Sequence, residues 1–153
     1  MNRRNVLGRL LGCALLPAVG ALSACFPGVA FARQQGAFDA KTPRETIEKL
    51  FNALQPEPTK QVRIVAPDIA ENGTVVPITI ESDLSGVESV AVLARDNPRA
   101  LAAVAKIGKR TAFPLSLRVK LAKSQDVQVL VLAQGKLYTA SRPVRVSVGG
   151  CGG

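Results

Sequence analysis

The chain has 153 residues, with 20 basic and 11 acidic side chains, a net charge of +9, no His, no Trp and one Tyr. The lack of histidine excludes a Ser-His-Asp or Cys-His nucleophile pair and removes the commonest ligand of zinc, haem and copper sites, so we expect no cofactor. Few aromatic side chains are available for base stacking, so the positive charge indicates solubility or an acidic protein partner rather than nucleic acid.

Residues 1–32 have the pattern of an export signal. The pair Arg3-Arg4 precedes an apolar run over residues 10–29, and Ala30-Phe31-Ala32 is a small-x-small cleavage pattern. The paired arginines are typical of a twin-arginine signal, with the general secretion route as the alternative. The sequence therefore predicts a periplasmic protein, exported through the twin-arginine route.

A second cleavage site is also possible on pattern alone. Residues 22–25, Leu-Ser-Ala-Cys, match a lipoprotein signal box, and acylation of Cys25 would attach the protein to a membrane. Cleavage after Ala32 would instead discard Cys25 and leave Cys151 as the only cysteine. Residues 33–153 would then carry 17 basic and 11 acidic side chains, a net charge of +6, in a length that suits one domain.

The segment 33–60 is predicted to be a flexible lead-in followed by a short helix. Thr42-Pro43-Arg44-Glu45 combines an N-cap residue, a proline in the first turn and a glutamate three residues after the cap. Apolar residues at helical spacing continue the pattern, and Pro56 and Pro58 end it. We expect an amphipathic helix over 43–54, preceded by a flexible stretch over 33–41.

From residue 61 to residue 148 the hydrophobic pattern has the period of β-strands. The clearest example is 113–121, where apolar residues alternate with polar ones and predict one buried and one solvated face. Pro77 suggests that the strand over 75–80 lies at a sheet edge. Seven or eight short strands separated by turn residues predict an all-β, immunoglobulin-like antiparallel sandwich of about seven strands. The other candidates are 62–66, 87–94, 100–107 (alanine-rich enough for a helical turn), 127–134, 136–139 and 143–148.

The strand predicted over 127–134 is almost continuously apolar, which is typical of a central strand covered on both faces. Two coverings are consistent with this pattern. The sandwich core and the docked helix would account for it, and so would a second subunit lying on one face of the sheet.

The chain ends in Gly149-Gly150-Cys151-Gly152-Gly153. A cysteine between two glycine pairs has no apolar neighbours in sequence against which to pack, whereas glycine gives the backbone its greatest freedom. Five extended residues reach roughly 17 Å. We therefore interpret residues 149–153 as a swinging arm that presents a group attached to Cys151, beginning where the last strand ends.

The sequence supplies no local means of activating this thiol. The nearest cation in sequence is Arg145, and the terminal carboxylate disfavours thiolate formation. A carrier needs no base of its own, because each partner's active site can provide one. The main alternative is an exported adhesion or scaffold module in which Cys151 forms an intermolecular disulfide. A carrier acting through its Gly-Gly carboxylate is disfavoured by the export signal.

The chain resembles the SoxY family, the sulfur-carrying subunits of thiosulfate oxidation. The resemblance covers essentially the whole chain and is most specific at the Gly-Gly-Cys-Gly-Gly ending. The segments that carry it are 70–78 (AENGTVVPI), 96–99 (DNPR), 121–127 (LAKSQDV) and 149–153 (GGCGG).

The resemblance implies a non-catalytic carrier with Cys151 as the covalent attachment residue for sulfur intermediates, and Gly149, Gly150, Gly152 and Gly153 as its arm. It also implies a tight heterodimer with a SoxZ-like subunit. A conjugating c-type cytochrome, a sulfate-releasing hydrolase and, where present, a sulfane dehydrogenase are the implied transient partners. The motifs 72–73, 96–98 and 124–126 are typical of turns, or would shape a surface for one of these partners.

Overall fold

The computed structural model describes residues 35–108 and 110–147. This part of the chain contains two helices and nine strands, joined by loops. The strands form two facing sheets, and the helices lie on the outer side of the larger sheet. The predicted all-β sandwich is thereby confirmed. The elements are α1 Gln35–Phe38, α2 Pro43–Phe51, β1 Glu57–Pro58, β2 Val62–Val65, β3 Ile69–Ala70, β4 Val76–Ser82, β5 Val87–Ala94, β6 Leu101–Lys106, β7 Leu115–Val119, β8 Gln125–Ala133 and β9 Lys136–Val146.

The larger sheet has the strand order β1-β9-β8-β5-β6, and the smaller has the order β2-β4-β7. Pairing is antiparallel except that the two-residue strands β1 and β3 pair parallel with the outer edge of β9. These two short strands account for the difference between nine strands and the predicted number of about seven. Because β1 belongs to the larger sheet, the sandwich begins before the predicted boundary at residue 61.

Helix α2 begins as its sequence predicts. Thr42 has an extended backbone, and its Oγ1 accepts a hydrogen bond from the Glu45 N–H at 3.2 Å. Glu45 Oε2 reaches back to the N–H of Lys41 at 3.0 Å, one residue before the cap. The helix ends at Phe51 rather than at 54, because Asn52 and Ala53 adopt left-handed conformations with φ of 50° and 60°.

The flexible lead-in predicted over 33–41 is wrong for residues 35–40. They form α1 and a turn, with Ala37 and Ala40 buried. The Ala40 carbonyl accepts a hydrogen bond from the Ala100 N–H at 2.9 Å, which ties the segment to the start of β6. Small side chains make this close approach possible, and their pattern is too short to give a periodic signal in the sequence.

Strand β8 lies in the middle of the larger sheet and is covered on both faces, as predicted. Val127, Val129 and Val131 face the smaller sheet and belong to the main core. Leu130 faces the helices and packs in a second cluster with Phe51. The helix layer therefore covers the face for which the sequence left a second subunit as the alternative.

The prediction that Pro77 marks an edge strand is wrong for the strand as a whole. Strand β4 lies between β2 and β7. However, β2 pairs with β4 only from Thr79 onward, so Pro77 lies beyond the end of β2 and is paired only with Arg118 of β7. A residue without an N–H is tolerated there because one side of the strand is locally unpaired.

The two C-terminal strands predicted over 136–139 and 143–148 form the single strand β9. The Thr139 carbonyl and the Arg145 N–H both make hydrogen bonds on the side away from β8. Pro143, like residues 139 and 145, is an odd-numbered residue of β9, so its backbone nitrogen points away from β8. It lies between the stretches that pair with β1 and β3, where that edge is uncovered and no N–H is needed. The proline therefore does not interrupt the ladder with β8.

The remaining differences concern element boundaries. The strand predicted over 113–121 is confirmed in its alternation but is regular only over β7. The ambiguous segment 100–107 is a strand rather than a helical turn. In the predicted turn 124–126, only Ser124 precedes β8, and Gln125 is a buried residue of that strand.

Candidate functional site at the end of β9

The candidate site is the end of the sandwich from which β9 leads to the C-terminus. The ladder between β8 and β9 ends at the pair Gln125 and Val144, and the described chain ends at Ser147. Cys151 is four residues further along the chain. The predicted site residues Gly149, Gly150, Cys151, Gly152 and Gly153, and also Cys25, lie outside the described residues.

Strand β9 extends beyond its partner β8 and is held there by other groups. On one side, the Arg145 N–H donates to the Asp68 carbonyl and the Ser147 N–H donates to the Ala70 carbonyl, both at 2.9 Å. On the other side, Ser124 Oγ accepts from the Val146 N–H at 2.9 Å and lies 3.4 Å from the Val146 carbonyl, to which it donates. The last residues before Ser147 are thus hydrogen-bonded on both sides.

Gly73 lies directly against this segment. A Cβ atom at Gly73 would lie 2.6 Å from the Leu121 carbonyl oxygen and 2.7 Å from Val146 Cγ1, which is closer than real Cβ atoms approach. The preceding Asn72 accepts hydrogen bonds at its Oδ1 from the N–H and the hydroxyl of Thr74, at 2.8 and 2.6 Å. The turn predicted at 72–73 is confirmed, and it brings the loop after β3 into contact with the end of β9.

Asn97 joins the loop between β5 and β6 to the segment between β7 and β8. Its Oδ1 accepts from the Ala122 N–H at 2.8 Å and from Gln125 Nε2 at 2.9 Å, and its Nδ2 donates to the Lys120 carbonyl at 2.7 Å. Gln125 Oε1 accepts from the Asp96 N–H at 2.8 Å. The side-chain hydrogen bonds of Asn97 and Gln125 are therefore used within the protein, which favours the structural interpretation of these motifs over a partner-binding one.

A shallow open depression of about 540 Å³ lies beside β9 at this end. Arg95 and Arg145 line it, together with Asp96 and Asp126. Asp96 lies 3.8 Å from Lys123, whereas Arg95 and Arg145 make no ion pair within residues 35–108 and 110–147. Asp126 makes no ion pair in this part of the chain either, so the lining carries two arginines and two aspartates.

The described part of the chain shows little else that could do chemistry. It contains no group of three or more Cys, His, Asp or Glu side chains placed to hold a metal ion. None of its helices is long and apolar enough to cross a membrane.

Two features of this end were not predicted from the sequence. Ser124 binds the backbone of Val146, and Arg95 and Arg145 line the same depression. Ser124 lies in a segment typical of a turn, and nothing in the sequence places its hydroxyl against residue 146. The two arginines are 50 residues apart, and only the antiparallel order β5-β8-β9 brings them to the same end.

These features define an immunoglobulin-like two-sheet sandwich whose last strand, β9, ends beside loops that are fixed by hydrogen bonds. The family model for "Sulfur oxidation protein SoxY" matches residues 47–151, which is more than half of the chain. The chain therefore belongs to the SoxY family.

One solved structure supports the family assignment, and a second is only distantly similar. The sulfur carrier protein SoxY from Chlorobium limicola f thiosulfatophilum is 33% identical with a TM-score of 0.61, over 68% of this chain and 94% of that chain. A superoxide reductase (neelaredoxin) from Ignicoccus hospitalis is 14% identical with a TM-score of 0.49, over 58% of this chain and 82% of that one. No curated protein matches the chain.

Proposed function

We propose that this protein is the sulfur carrier of a periplasmic thiosulfate-oxidation system and that Cys151 is the residue that holds the sulfur. The observation that carries the proposal is the position of Cys151. It lies five residues after Val146, the last residue of β9, and Gly149 and Gly150 immediately precede it. Membership of the SoxY family and the similarity to a sulfur carrier protein support the same role.

The chemistry begins with conjugation at the thiol. Cys151 and thiosulfate lose two electrons and the thiol proton as a sulfur–sulfur bond forms between them. A c-type cytochrome is the proposed acceptor of the electrons. A hydrolase then adds water to the terminal sulfone sulfur and releases sulfate, so that a persulfide remains on Cys151. That outer sulfur is oxidised by a sulfane dehydrogenase or passed on.

The protein acts in this scheme as a bound substrate rather than as a catalyst. The sequence has no histidine to serve as a base, and the described loops at the end of β9 use their polar side chains in internal hydrogen bonds. The glycines at 149, 150, 152 and 153 give the proposed arm a thin backbone that fits a narrow active-site channel.

The proposed setting includes the partner and the route of export. A SoxZ-like subunit forms a heterodimer with the sandwich, and the signal over 1–32 directs the folded protein through the twin-arginine route. The conjugating cytochrome, the hydrolase and the dehydrogenase visit the heterodimer in turn.

Intact-mass analysis tests the assignment. The mature heterodimer, incubated with thiosulfate and the oxidising cytochrome, should gain a thiosulfate adduct, and Cys151→Ser should abolish it completely. Ser147→Ala, four residues earlier, is the matched control and should keep the adduct. Sulfate release from the Cys151→Ser protein at the wild-type rate would refute the proposal. A Cys151-dependent dimer as the main species on non-reducing gels would favour the scaffold alternative.

A further inference from the structure

We infer that the hydroxyl of Ser124 sets the length of the carrier arm by holding the last residues of β9 against the sandwich. The inference rests on the proposed function, because it concerns how Cys151 is positioned for its partners. Ser124 is a positioning residue in this view, since it acts on the arm through Val146.

The first step is the end of the backbone ladder. Strand β8 begins at Gln125, and its last pair with β9 is Gln125 with Val144. Beyond that pair, no strand lies on the β8 side of β9 in the described part of the chain. Residues 145–147 would therefore lack half of their hydrogen bonds if only the backbone were available.

The second step is that one side chain replaces the missing strand. Ser124 Oγ both accepts from the Val146 N–H at 2.9 Å and donates to the Val146 carbonyl at 3.4 Å. A hydroxyl can make these two bonds at once because it carries one proton and two lone pairs. It thus provides Val146 with the pair of contacts that a neighbouring strand residue would otherwise make.

Residues 146 and 147 are also held on the opposite side of β9, by β3 and the loop that follows it. The Ala70 carbonyl accepts from the Ser147 N–H at 2.9 Å, and Val146 lies over Gly73, where a Cβ would approach Val146 Cγ1 to 2.7 Å. The backbone of residues 146 and 147 is therefore held from both sides. Strand β3 has only two residues, so it cannot hold this segment as a full-length strand would.

The consequence for delivery follows from chain length. With the chain held at Ser147, four residues reach from there to Cys151, or roughly 14 Å. If the hold were lost back to Val144, seven residues would span roughly 24 Å. The effective concentration of the thiol at a docked active site would fall by the 3/2 power of this ratio, or about twofold.

Hydrogen exchange followed by NMR on the mature heterodimer is the first arm of the test. Ser124→Ala should increase amide exchange at Val146 and Ser147 by at least about tenfold and leave Val131 in the core unchanged. Ser124→Thr keeps the hydroxyl and should restore protection. Unchanged exchange at Val146 in Ser124→Ala would overturn the inference.

The second arm measures delivery. Ser124→Ala should lower kcat/KM for conjugation of thiosulfate at Cys151 about twofold. Ser82→Ala is the matched control, since Ser82 Oγ accepts from the Leu84 N–H at 3.2 Å at the far end of β4. A Ser124→Ala rate equal to or above that of the control would overturn the inference. If wild-type protein forms no adduct at Cys151, the proposed function fails, and the exchange experiment still decides whether the hold exists.

Discussion

Individual residues at the end of β9 act mainly through the space and the hydrogen bonds that they leave to the backbone. Gly73 has no side chain where the Leu121 carbonyl and Val146 approach it, and the Gly73 carbonyl accepts from the Leu121 N–H at 2.7 Å. This contact joins the loop before β4 to the chain after β7. The glycine therefore allows three chain segments to meet at the end of β9.

Gly73→Ala should lower the free energy of unfolding by about 1–3 kcal/mol, because the added methyl group has to displace a backbone oxygen as well as Val146. Urea unfolding of the mature protein measures this. Gly36→Ala is the control, since a Cβ at Gly36 in α1 meets nothing within 4 Å. The control should be neutral or slightly stabilising, and equal losses for both variants would show that crowding at Gly73 is not the cause.

The long-range contacts of Asn97 and Ser124 could not be predicted from the sequence. Asn97 and Ser124 both occur in segments that predict turns, and both predictions concern local backbone shape. Their main contacts are with residues more than 20 positions away, Lys120 and Val146. Such contacts depend on the pairing of strands, which no local pattern specifies.

Among the elements, α2 shows the closest agreement between sequence and structure. Its start is fixed by contacts within four residues, from Lys41 to Glu45, and these were predictable from the capping pattern. Its end is fixed by left-handed residues at Asn52 and Ala53, where the sequence has no glycine to announce the cap. The apolar pattern alone therefore placed the helix end three residues too late.

Glu45 should make the stability of this element depend on pH. The hydrogen bond from Lys49, followed by that from the Lys41 N–H, lowers the pKa of Glu45 below its ordinary value of 4.5. A carboxyl with a lowered pKa in the folded state contributes its full stabilisation above the ordinary value and loses it as the pH falls through the folded value.

Urea unfolding between pH 7 and pH 3 measures this dependence. The stability difference between wild type and Glu45→Gln should be constant down to about pH 5 and should shrink below pH 4.5. Glu57→Gln is the control, because Glu57 makes no side-chain ion pair within residues 35–108 and 110–147. A difference for Glu45→Gln that grows as the pH falls would contradict the prediction.

At the scale of the whole molecule, the larger sheet separates two hydrophobic clusters. One lies between the sheets and includes Ile78 and Val129, and the other lies under the helices and includes Leu130 and Phe51. Two consecutive residues of β8 thus belong to different clusters, because successive side chains point to opposite faces of a strand. The smaller sheet, the larger sheet and the helices therefore form three layers, and β9 belongs to the middle one.

Leu130→Ala and Ile78→Ala compare the two clusters in the isolated mature subunit. Both side chains are almost completely buried, so each substitution should lower the free energy of unfolding by about 2–5 kcal/mol. Urea unfolding without the partner subunit measures both. A negligible loss for Leu130→Ala beside a large one for Ile78→Ala would mean that the helices do not cover this face in solution.

The sequence predicted the strand-rich fold, the start of α2 and the central position of β8, and the structure agrees on all three. The sequence also suggests that Cys151 is a carrier thiol, which stays a prediction because this residue lies outside the described ones. These depend on local patterns: alternation of apolar residues, a capping box, and a cysteine among glycines. Three findings required the folded chain: residues 35–40 are packed, β9 is one strand, and Ser124 and Gly73 both contact Val146 at its end. The physical reason is that strand pairing joins residues distant in sequence, and the free energy of those contacts comes from burial and register that a single segment does not contain.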